Sequence, residues 1–171
     1  MNISILLPFK ENYTHKNAGA VSLFVNDITN ESAYKKTIMI YGSTEYKKYL
    51  SSNYKNIKFN KNLLQSSNYQ YVSNFINFDK ALNSDLIEVH NRPKYIIQIR
   101  KKFSKKLFLY FHNDPLTMNG SKTILDRIHL LNSVDKLIFN SKWCRDRYFI
   151  NFKNKNELQN KTAICFQSAP K

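Results

Sequence analysis

The fold is decided by the stretch Leu107–Pro115, LFLYFHNDP, in which an apolar run ends abruptly in polar, titratable and turn-forming residues. Two further stretches repeat this design, Asp85–Pro93 (DLIEVHNRP) and Asp135–Cys144 (DKLIFNSKWC). Continuous apolar runs are typical of parallel strands that helices cover on both faces. In an open α/β sheet the ligand crevice lies beyond the carboxyl ends of the strands. The polar residues that end these runs are therefore the first candidates for a functional site.

Helical patterns separate the apolar runs. Val21, Phe24, Val25 and Ile28 lie at the i, i+3, i+4, i+7 spacing of one helix face after Gly19. We predict further strands at 3–7, 37–41, 57–59 and 162–166, a short helix at 44–50, and helices capped by Asn91, Ser121 and Ser141. This alternation predicts an α/β, Rossmann-like open sheet that is mainly parallel, with helices on both faces. We assign 1–166 to one domain and 167–171 to the start of an interdomain linker.

The chain carries a net charge of +15, but its basic residues are mostly lysine and asparagine is abundant, a bias that an AT-rich genome produces. Arginine, the favoured reader of bases, is scarce, so we expect no nucleic-acid partner. An anionic membrane surface or a phosphorylated substrate is a better use of the charge. The two cysteines form no disulfide framework, and no apolar run has the ~20 residues of a membrane span. We expect a cytoplasmic protein.

The order of three motifs resembles that of a known enzyme family. Asn17-Ala18-Gly19 opens a helix, His112 closes a strand, and the segment 139–143 (FNSKW) joins a strand to a helix. Together they resemble the N-terminal domain of family-4 glycosyltransferases, particularly bacterial surface-polysaccharide and lipopolysaccharide enzymes. The resemblance covers about residues 2–171. It departs in one detail, because the family often has two adjacent glycines where this chain has Ala18-Gly19.

The resemblance implies a retaining transferase of the GT-B fold, in which two Rossmann-like domains face each other across a cleft. This chain would be the acceptor-side half, and we expect the C-terminal donor-binding domain to lie outside the 171 residues. The implied partners are a nucleotide-sugar donor, a glycan or lipid-linked acceptor, and the inner face of the plasma membrane as a peripheral contact. The alternative is a non-catalytic Rossmann-like binding module, or one subunit of a split transferase.

The resemblance also assigns roles on the donor side. The donor diphosphate would contact the turn at Ala18 and Gly19, where helix N–H groups and the positive end of the helix dipole favour an anion. His112 would lie beside the donor sugar and donate a hydrogen bond to the charge that develops on the leaving diphosphate. The competing interpretations are a turn glycine without a ligand and a strand-end histidine bonded to local backbone.

Nine further residues are candidates for the acceptor side or the cleft wall. Arg92 could bind a phosphate or carboxylate through two N–H groups, or it could be solvated while Asn91 caps the next helix. Asp114-Pro115 could equally be a plain turn. The nine candidates are Lys10, Glu11, His15, His90, Asn91, Arg92, Asn113, Asp114 and Asn140.

Metal chemistry has no motif in its favour. The histidines are scattered and no Asp-x-Asp element occurs, so we predict no metal site and no cofactor, and the nucleotide-sugar is expected as a substrate. Cys144 lies within an apolar helix face, which predicts a buried structural thiol rather than a nucleophile.

Overall fold

The computed structural model describes residues 1–60, 62, 64–153 and 159–167, and in them seven strands alternate with five α-helices. The strands are β1 Ile3–Leu6, β2 Ile38–Gly42, β3 Tyr54–Asn56, β4 Leu86–His90, β5 Lys106–Phe111, β6 Lys136–Phe139 and β7 Thr162–Ile164. The helices are α1 Ala20–Glu31, α2 Ser67–Leu82, α3 Pro93–Arg100, α4 Ile124–Ser133 and α5 Lys142–Tyr148.

The seven strands form one sheet in the order β3-β2-β1-β4-β5-β6-β7. Every pairing between neighbouring strands is parallel, which confirms the predicted Rossmann-like α/β fold. The chain runs outward from β1 to β3, returns to the other side of β1 at β4, and then continues outward to β7. The direction of travel therefore reverses between β1 and β4, and ligands of open α/β sheets bind at the carboxyl ends of strands beside such a reversal.

Two apolar layers cover the sheet. On one face α2 to α5 pack against strand residues such as Leu6, Val89 and Phe111, all of them fully buried. On the other face Val21 and Val25 of α1 pack against Ile5 and its neighbours on β1 and β2. Successive side chains along each strand point to opposite faces of the sheet. One set therefore packs in the larger core under α2 to α5, and the other set packs under α1. Helices lie on both faces, as predicted.

Two predictions between β2 and α2 are wrong. The segment 44–50 is not a helix, because Lys48 has a left-handed backbone with φ of 66° and Tyr49 forms an antiparallel bridge with Thr14. The third strand is Tyr54–Asn56 rather than 57–59. Ile57 is buried just beyond the strand end, so it supplied the apolar signal without joining the strand.

The start of α4 also differs from the prediction. Thr123, not Ser121, is the N-cap, and it forms a reciprocal capping box with Asp126. Ser121 is buried instead, and its hydroxyl donates to the carbonyl of Pro115 at 2.5 Å. Ile124, Ile128 and Leu131 have helical spacing in the sequence and predict one apolar face, but only Leu131 is buried, and the buried face of α4 also contains Arg127 and Leu130.

The remaining predicted elements agree closely with the structure. The spacing of Tyr71, Phe75, Phe78 and Leu82 in the sequence indicates a helical stripe, and these residues lie on α2. Ser141 caps α5 through the N–H of Cys144. Of the predicted linker 167–171, only Gln167 lies within the described residues, and the domain boundary stays a prediction. No helix in the described part of the chain is long and apolar enough to cross a membrane.

Candidate functional site

The backbone of His112, which directly follows β5, is hydrogen-bonded to residues at the ends of both strands that flank β5, namely β4 and β6. Its N–H donates to Asn91 Oδ1 at 2.8 Å, and its carbonyl accepts from Asn140 Nδ2 at 2.7 Å. Both asparagines follow the last residue of a parallel strand, so the sheet itself brings them to either side of β5. The sequence predicted that these residues lie on one edge, and the structure joins them by direct hydrogen bonds.

Asn91 therefore does not cap α3, and that prediction is wrong. Asn91 takes a left-handed backbone, with φ of 51°, which asparagine tolerates better than most residues. This conformation turns its side chain toward His112. Arg92 is the N-cap residue of α3 without any side-chain cap bond, and Pro93 occupies the first turn, where a missing N–H costs nothing.

Four side chains form a continuous row of polar contacts, which we call the histidine chain: Glu88, His90, His112 and Gln167. His112 Nε2 lies 2.7 Å from His90 Nδ1. His90 Nε2 lies 2.8 Å from Glu88 Oε1, within ion-pair distance but off the line of an ideal N–H hydrogen bond. At the other end the amide nitrogen of Gln167 contacts His112 Nδ1. The sequence predicted the two histidines as candidates but not their direct contact.

Aromatic rings enclose the His112 imidazole. The Tyr110 ring stacks on it with centroids 4.3 Å apart, and Phe24 of α1 meets it edge-on at 5.1 Å. Only 7% of His112 is exposed. This burial, together with the neighbouring His90, lowers the pKa of His112 to about 2. The ring is therefore neutral at physiological pH, with one nitrogen that donates and one that accepts.

The amino end of α1 already faces a carboxylate. The Glu11 side chain curls over Gly19, and its Oε1 lies 3.4 Å from the backbone nitrogen of Ser22 in the first turn. A Cβ atom at position 19 would lie only 2.0 Å from that oxygen, so a residue with a side chain there would displace the carboxylate. The site that the sequence predicted for the donor diphosphate thus attracts an anion, and the anion present is the protein's own.

The rest of the first loop is tied to the end of β2 rather than to the histidines. Asn12 Oδ1 accepts from the Thr44 hydroxyl at 2.9 Å, and Tyr13 stacks on Tyr54 with centroids 4.7 Å apart. Lys10 and His15 are exposed. Among the residues that the structure describes, no hydrogen bond links either of them to the histidine chain.

Asn113 and Asp114 attach the loop after β5 to α5. The Cys144 thiol donates to the carbonyl of Asn113 at 3.2 Å, and Arg147 donates to Asp114 Oδ2 at 2.9 and 3.2 Å. Burial would raise the pKa of Asp114, but the bonds from Arg147 and the N–H of Leu116 outweigh it and hold this pKa below its usual value. These contacts favour a structural role for both candidates.

Cys144 is buried, as predicted, whereas its neighbour Trp143 is 59% exposed. Burial, with the nearby carboxylate of Asp114, raises the pKa of the thiol to about 12. The reactive thiolate is therefore scarce at neutral pH, and Cys144 is unsuited to be a nucleophile.

A groove opens beside Arg92, between α2 and α3. Its volume is about 900 Å³, and it extends from Asn91 along both helices. Among the described residues that line it there are five basic side chains and no acidic one. Apolar residues form part of the remaining wall, so the groove combines positive charge with apolar surface. The five basic residues are Lys80, Arg92, Lys94, Lys101 and Lys102.

Two members of the histidine chain were missed from the sequence. Glu88 precedes His90 by two residues in a strand, so both side chains point to the same face. A carboxylate inside an apolar strand run was therefore an available signal. Gln167 lies 55 residues after His112, and no local pattern indicates their contact. Within the described residues, no group of three or more His, Cys, Asp or Glu is placed to hold a metal ion.

Comparison with known proteins gives structural neighbours only. No family model and no curated protein sequence matches the chain. Among solved structures, the lipopolysaccharide outer core galactosyltransferase WaaB superposes with a TM-score of 0.65 at 10% identity, over 99% of this chain and 46% of that one. Sucrose-phosphate synthase from Thermosynechococcus elongatus gives 0.61 at 11% identity, over 99% and 49%.

A third neighbour, Anabaena Alr3699/HepE, was solved with UDP and also with UDP and glucose. Its UDP complex superposes with a TM-score of 0.59 at 13% identity, over 97% of this chain and 44% of that chain. At such identities the likeness shows the fold alone, a Rossmann-like α/β domain. The chain spans about half the length of each of these neighbours.

Proposed function

We propose that this chain is the acceptor-side part of a glycosyltransferase that moves a sugar from a nucleotide-sugar to a glycan or lipid-linked acceptor. The observation that carries the proposal is the buried, neutral His112 at the carboxyl end of β5, held between the ends of β4 and β6 where this fold binds ligands. The likeness to WaaB, HepE and sucrose-phosphate synthase supports it.

The donor side of the site would lie between α1 and His112. Phe24, one turn into α1, contacts the His112 ring, so the amino end of that helix is near the histidine chain. In our proposal the donor diphosphate approaches the turn at Ala18 and Gly19 and takes the place of the Glu11 carboxylate. The N–H groups there suit either anion equally. The donor sugar would then lie beside the exposed edge of His112.

The acceptor side would begin at His90, Asn91 and Arg92 and continue into the groove between α2 and α3. Because the groove lining has five basic residues and no acidic one, it suits an acceptor that carries phosphate or carboxylate groups. Its apolar wall suits a lipid link. The basic surface would also hold the protein near an anionic membrane at the cytoplasmic side.

The finer features of the proposal follow the family resemblance. They are retention of anomeric configuration, a second Rossmann-like domain that binds the nucleotide, and a role in surface-polysaccharide synthesis. Leaving-group charge would be balanced by helix N–H groups and basic side chains, with no metal ion required.

The test is sugar transfer by the full-length gene product, purified and incubated with labelled UDP-glucose or UDP-galactose and a lipid extract from the source organism. We expect label to enter the lipid fraction and the His112→Ala variant to lose most of this activity. His129→Ala, which changes an exposed histidine on α4, is the matched control. Binding of nucleotide-sugar without any transfer would support the binding-module alternative instead.

A further inference from the structure

The histidine chain begins at a carboxylate, and this fixes where its protons lie. An ionised carboxylate only accepts hydrogen bonds. Glu88 Oε1 lies 2.8 Å from His90 Nε2, where a bare nitrogen lone pair would be repelled and an N–H is attracted. The carboxylate, although off the line of an ideal N–H bond, therefore favours the His90 tautomer with its proton on Nε2, in which Nδ1 is an acceptor.

The proton position on His112 follows from that on His90. His90 Nδ1 lies 2.7 Å from His112 Nε2, so a proton must lie between them, and it belongs to His112 because His90 Nδ1 is the acceptor. His112 is neutral, and its remaining ring nitrogen, Nδ1, is then an acceptor too. The amide nitrogen of Gln167, which can only donate, contacts this Nδ1. The contacts at both ends of the chain are satisfied by the same proton arrangement.

We propose that Glu88 and His90 are positioning residues that hold His112 with its proton on Nε2, so that Nδ1 faces the crevice as an acceptor for a sugar hydroxyl. Gln167, which is exposed, occupies that acceptor position here and would give way to the sugar. The inference rests on the proposed function for the identity of the ligand. It also changes the role expected for His112, which accepts from the sugar rather than donating to the leaving diphosphate.

The proton arrangement is tested by two-bond ¹H–¹⁵N correlation spectra of the histidine rings in the 171-residue protein. We expect His112 to show a protonated-type Nε2 and an unprotonated-type Nδ1. In Glu88→Gln the selecting charge is lost and the new amide can donate to His90, so a substantial population of the opposite His112 tautomer should appear. Glu31→Gln, an exposed glutamate at the far end of α1, should leave the spectrum unchanged.

Two results would overturn the positioning role. One is a wild-type His112 that carries its proton on Nδ1. The other is a folded Glu88→Gln protein with the wild-type tautomer pattern. The wild-type spectrum alone tests the proton arrangement, so the inference does not depend on the variant folding.

The ligand is tested by titration of the full-length gene product with UDP-glucose and, separately, with UDP. We expect the His112 Nδ1 resonance to move with UDP-glucose and not with UDP. Glu88→Gln should weaken UDP-glucose binding about two- to tenfold, the worth of one neutral hydrogen bond, and leave UDP binding unchanged. An equal loss for both ligands would overturn the sugar contact. A correct tautomer without any nucleotide-sugar binding would count against the transferase function while the positioning by Glu88 and His90 stands.

Discussion

At the scale of single residues, burial decides the chemistry of His112. Its ring is enclosed by Phe24 and Tyr110 and lies against His90, surroundings that cannot hydrate an added proton. Burial therefore keeps the ring neutral in the folded protein at pH values where an unfolded histidine is protonated. Since an unfolded histidine titrates near 6.5 and the folded one near 2, the unfolded state binds more protons throughout that interval.

Folding stability should accordingly fall as the pH drops below 6.5. Between pH 6.5 and 5.5 we expect His112 to remove about 1 kcal/mol from the free energy of unfolding. Urea unfolding at the two pH values measures it, and His112→Gln should show a shallower dependence than the wild type. His129→Gln should keep the wild-type dependence. If the free energy of unfolding depended equally on pH in the wild type and in His112→Gln, the lowered pKa of His112 would be contradicted.

Glu11 makes a second prediction at this scale. Its carboxylate faces the same helix end as the proposed donor diphosphate, so the two anions compete. Glu11→Gln should therefore raise the affinity for UDP about two- to fivefold, corresponding to roughly 0.4–1 kcal/mol. Isothermal titration with UDP measures this. Glu31→Gln, at the opposite end of α1, is the control, and weaker UDP binding by Glu11→Gln would show that the carboxylate assists rather than competes.

The sequence correctly predicted that the candidate residues share one edge of the sheet, because polar residues that end parallel strands must meet there. It could not supply their partners. His90 and His112 were separate candidates, and only the parallel register that pairs His90 with Tyr110 brings the two imidazoles together. Arg147, which binds Asp114, lies 33 residues away along the chain, beyond the reach of any local pattern.

At the scale of elements, the wrong N-cap prediction for α4 arose because two nearby residues both have the character of a helix cap. Ser121 and Thr123 are both residue types that cap helices. Thr123 is the N-cap because Asp126 lies three residues later and completes a capping box with it. Arg127 is buried in the helix face because its guanidinium donates to the carbonyls of Lys122 and Ile150. The strongly periodic segment α1 was predicted correctly because tertiary packing and local pattern agree there.

Asp114 links the loop after β5 to α5, so its removal should lower the stability of the protein. We expect Asp114→Ala to lower the free energy of unfolding by about 1 kcal/mol, since the Arg147 bonds and the N–H bond from Leu116 are lost together. Asp146→Ala is the matched control, because Asp146 is 56% exposed and meets Arg145 only at 3.4 Å.

The pH dependence of this difference has a definite sign. The folded pKa of Asp114 lies below the ordinary value of 3.8, so the stabilisation is present above that value and is lost as the pH falls through the folded pKa. The gap between wild type and Asp114→Ala in denaturant unfolding should therefore shrink in strong acid. A gap that stays constant down to pH 2 would contradict the ion-pair explanation.

At the scale of the whole molecule, the positive charge is organised rather than merely abundant. The groove between α2 and α3 gathers five basic side chains along its length, from Arg92 near the crevice to Lys101 and Lys102 at the far end of α3, whereas Lys35 and Lys36 lie in the connection between α1 and β2, outside the groove. These two lysine sets allow a comparison at equal change of net charge.

We expect Lys101→Ala/Lys102→Ala to weaken binding of farnesyl diphosphate, a simple amphiphilic anion, about threefold or more. Lys35→Ala/Lys36→Ala should change it little. Fluorescence titration at low and high salt measures both, and the difference should narrow with added salt as the charges are screened. Equal losses in the two double variants would show that net charge, not the groove, attracts the ligand.

The position of β1 between β2 and β4 has a consequence for how the protein is made. Residues 2 and 85, whose contact closes this part of the sheet, are 83 positions apart. The edge of β1 that pairs with β4 therefore stays unpaired until β4 has been synthesised. Until β4 emerges, β1 and β2 form a ribbon with unpaired backbone groups on its inner edge, and such long-range parallel pairing is slow. Nascent chains from which β4 has not yet emerged should therefore bind chaperones more, and be cleaved by protease faster, than chains from which β4 has emerged.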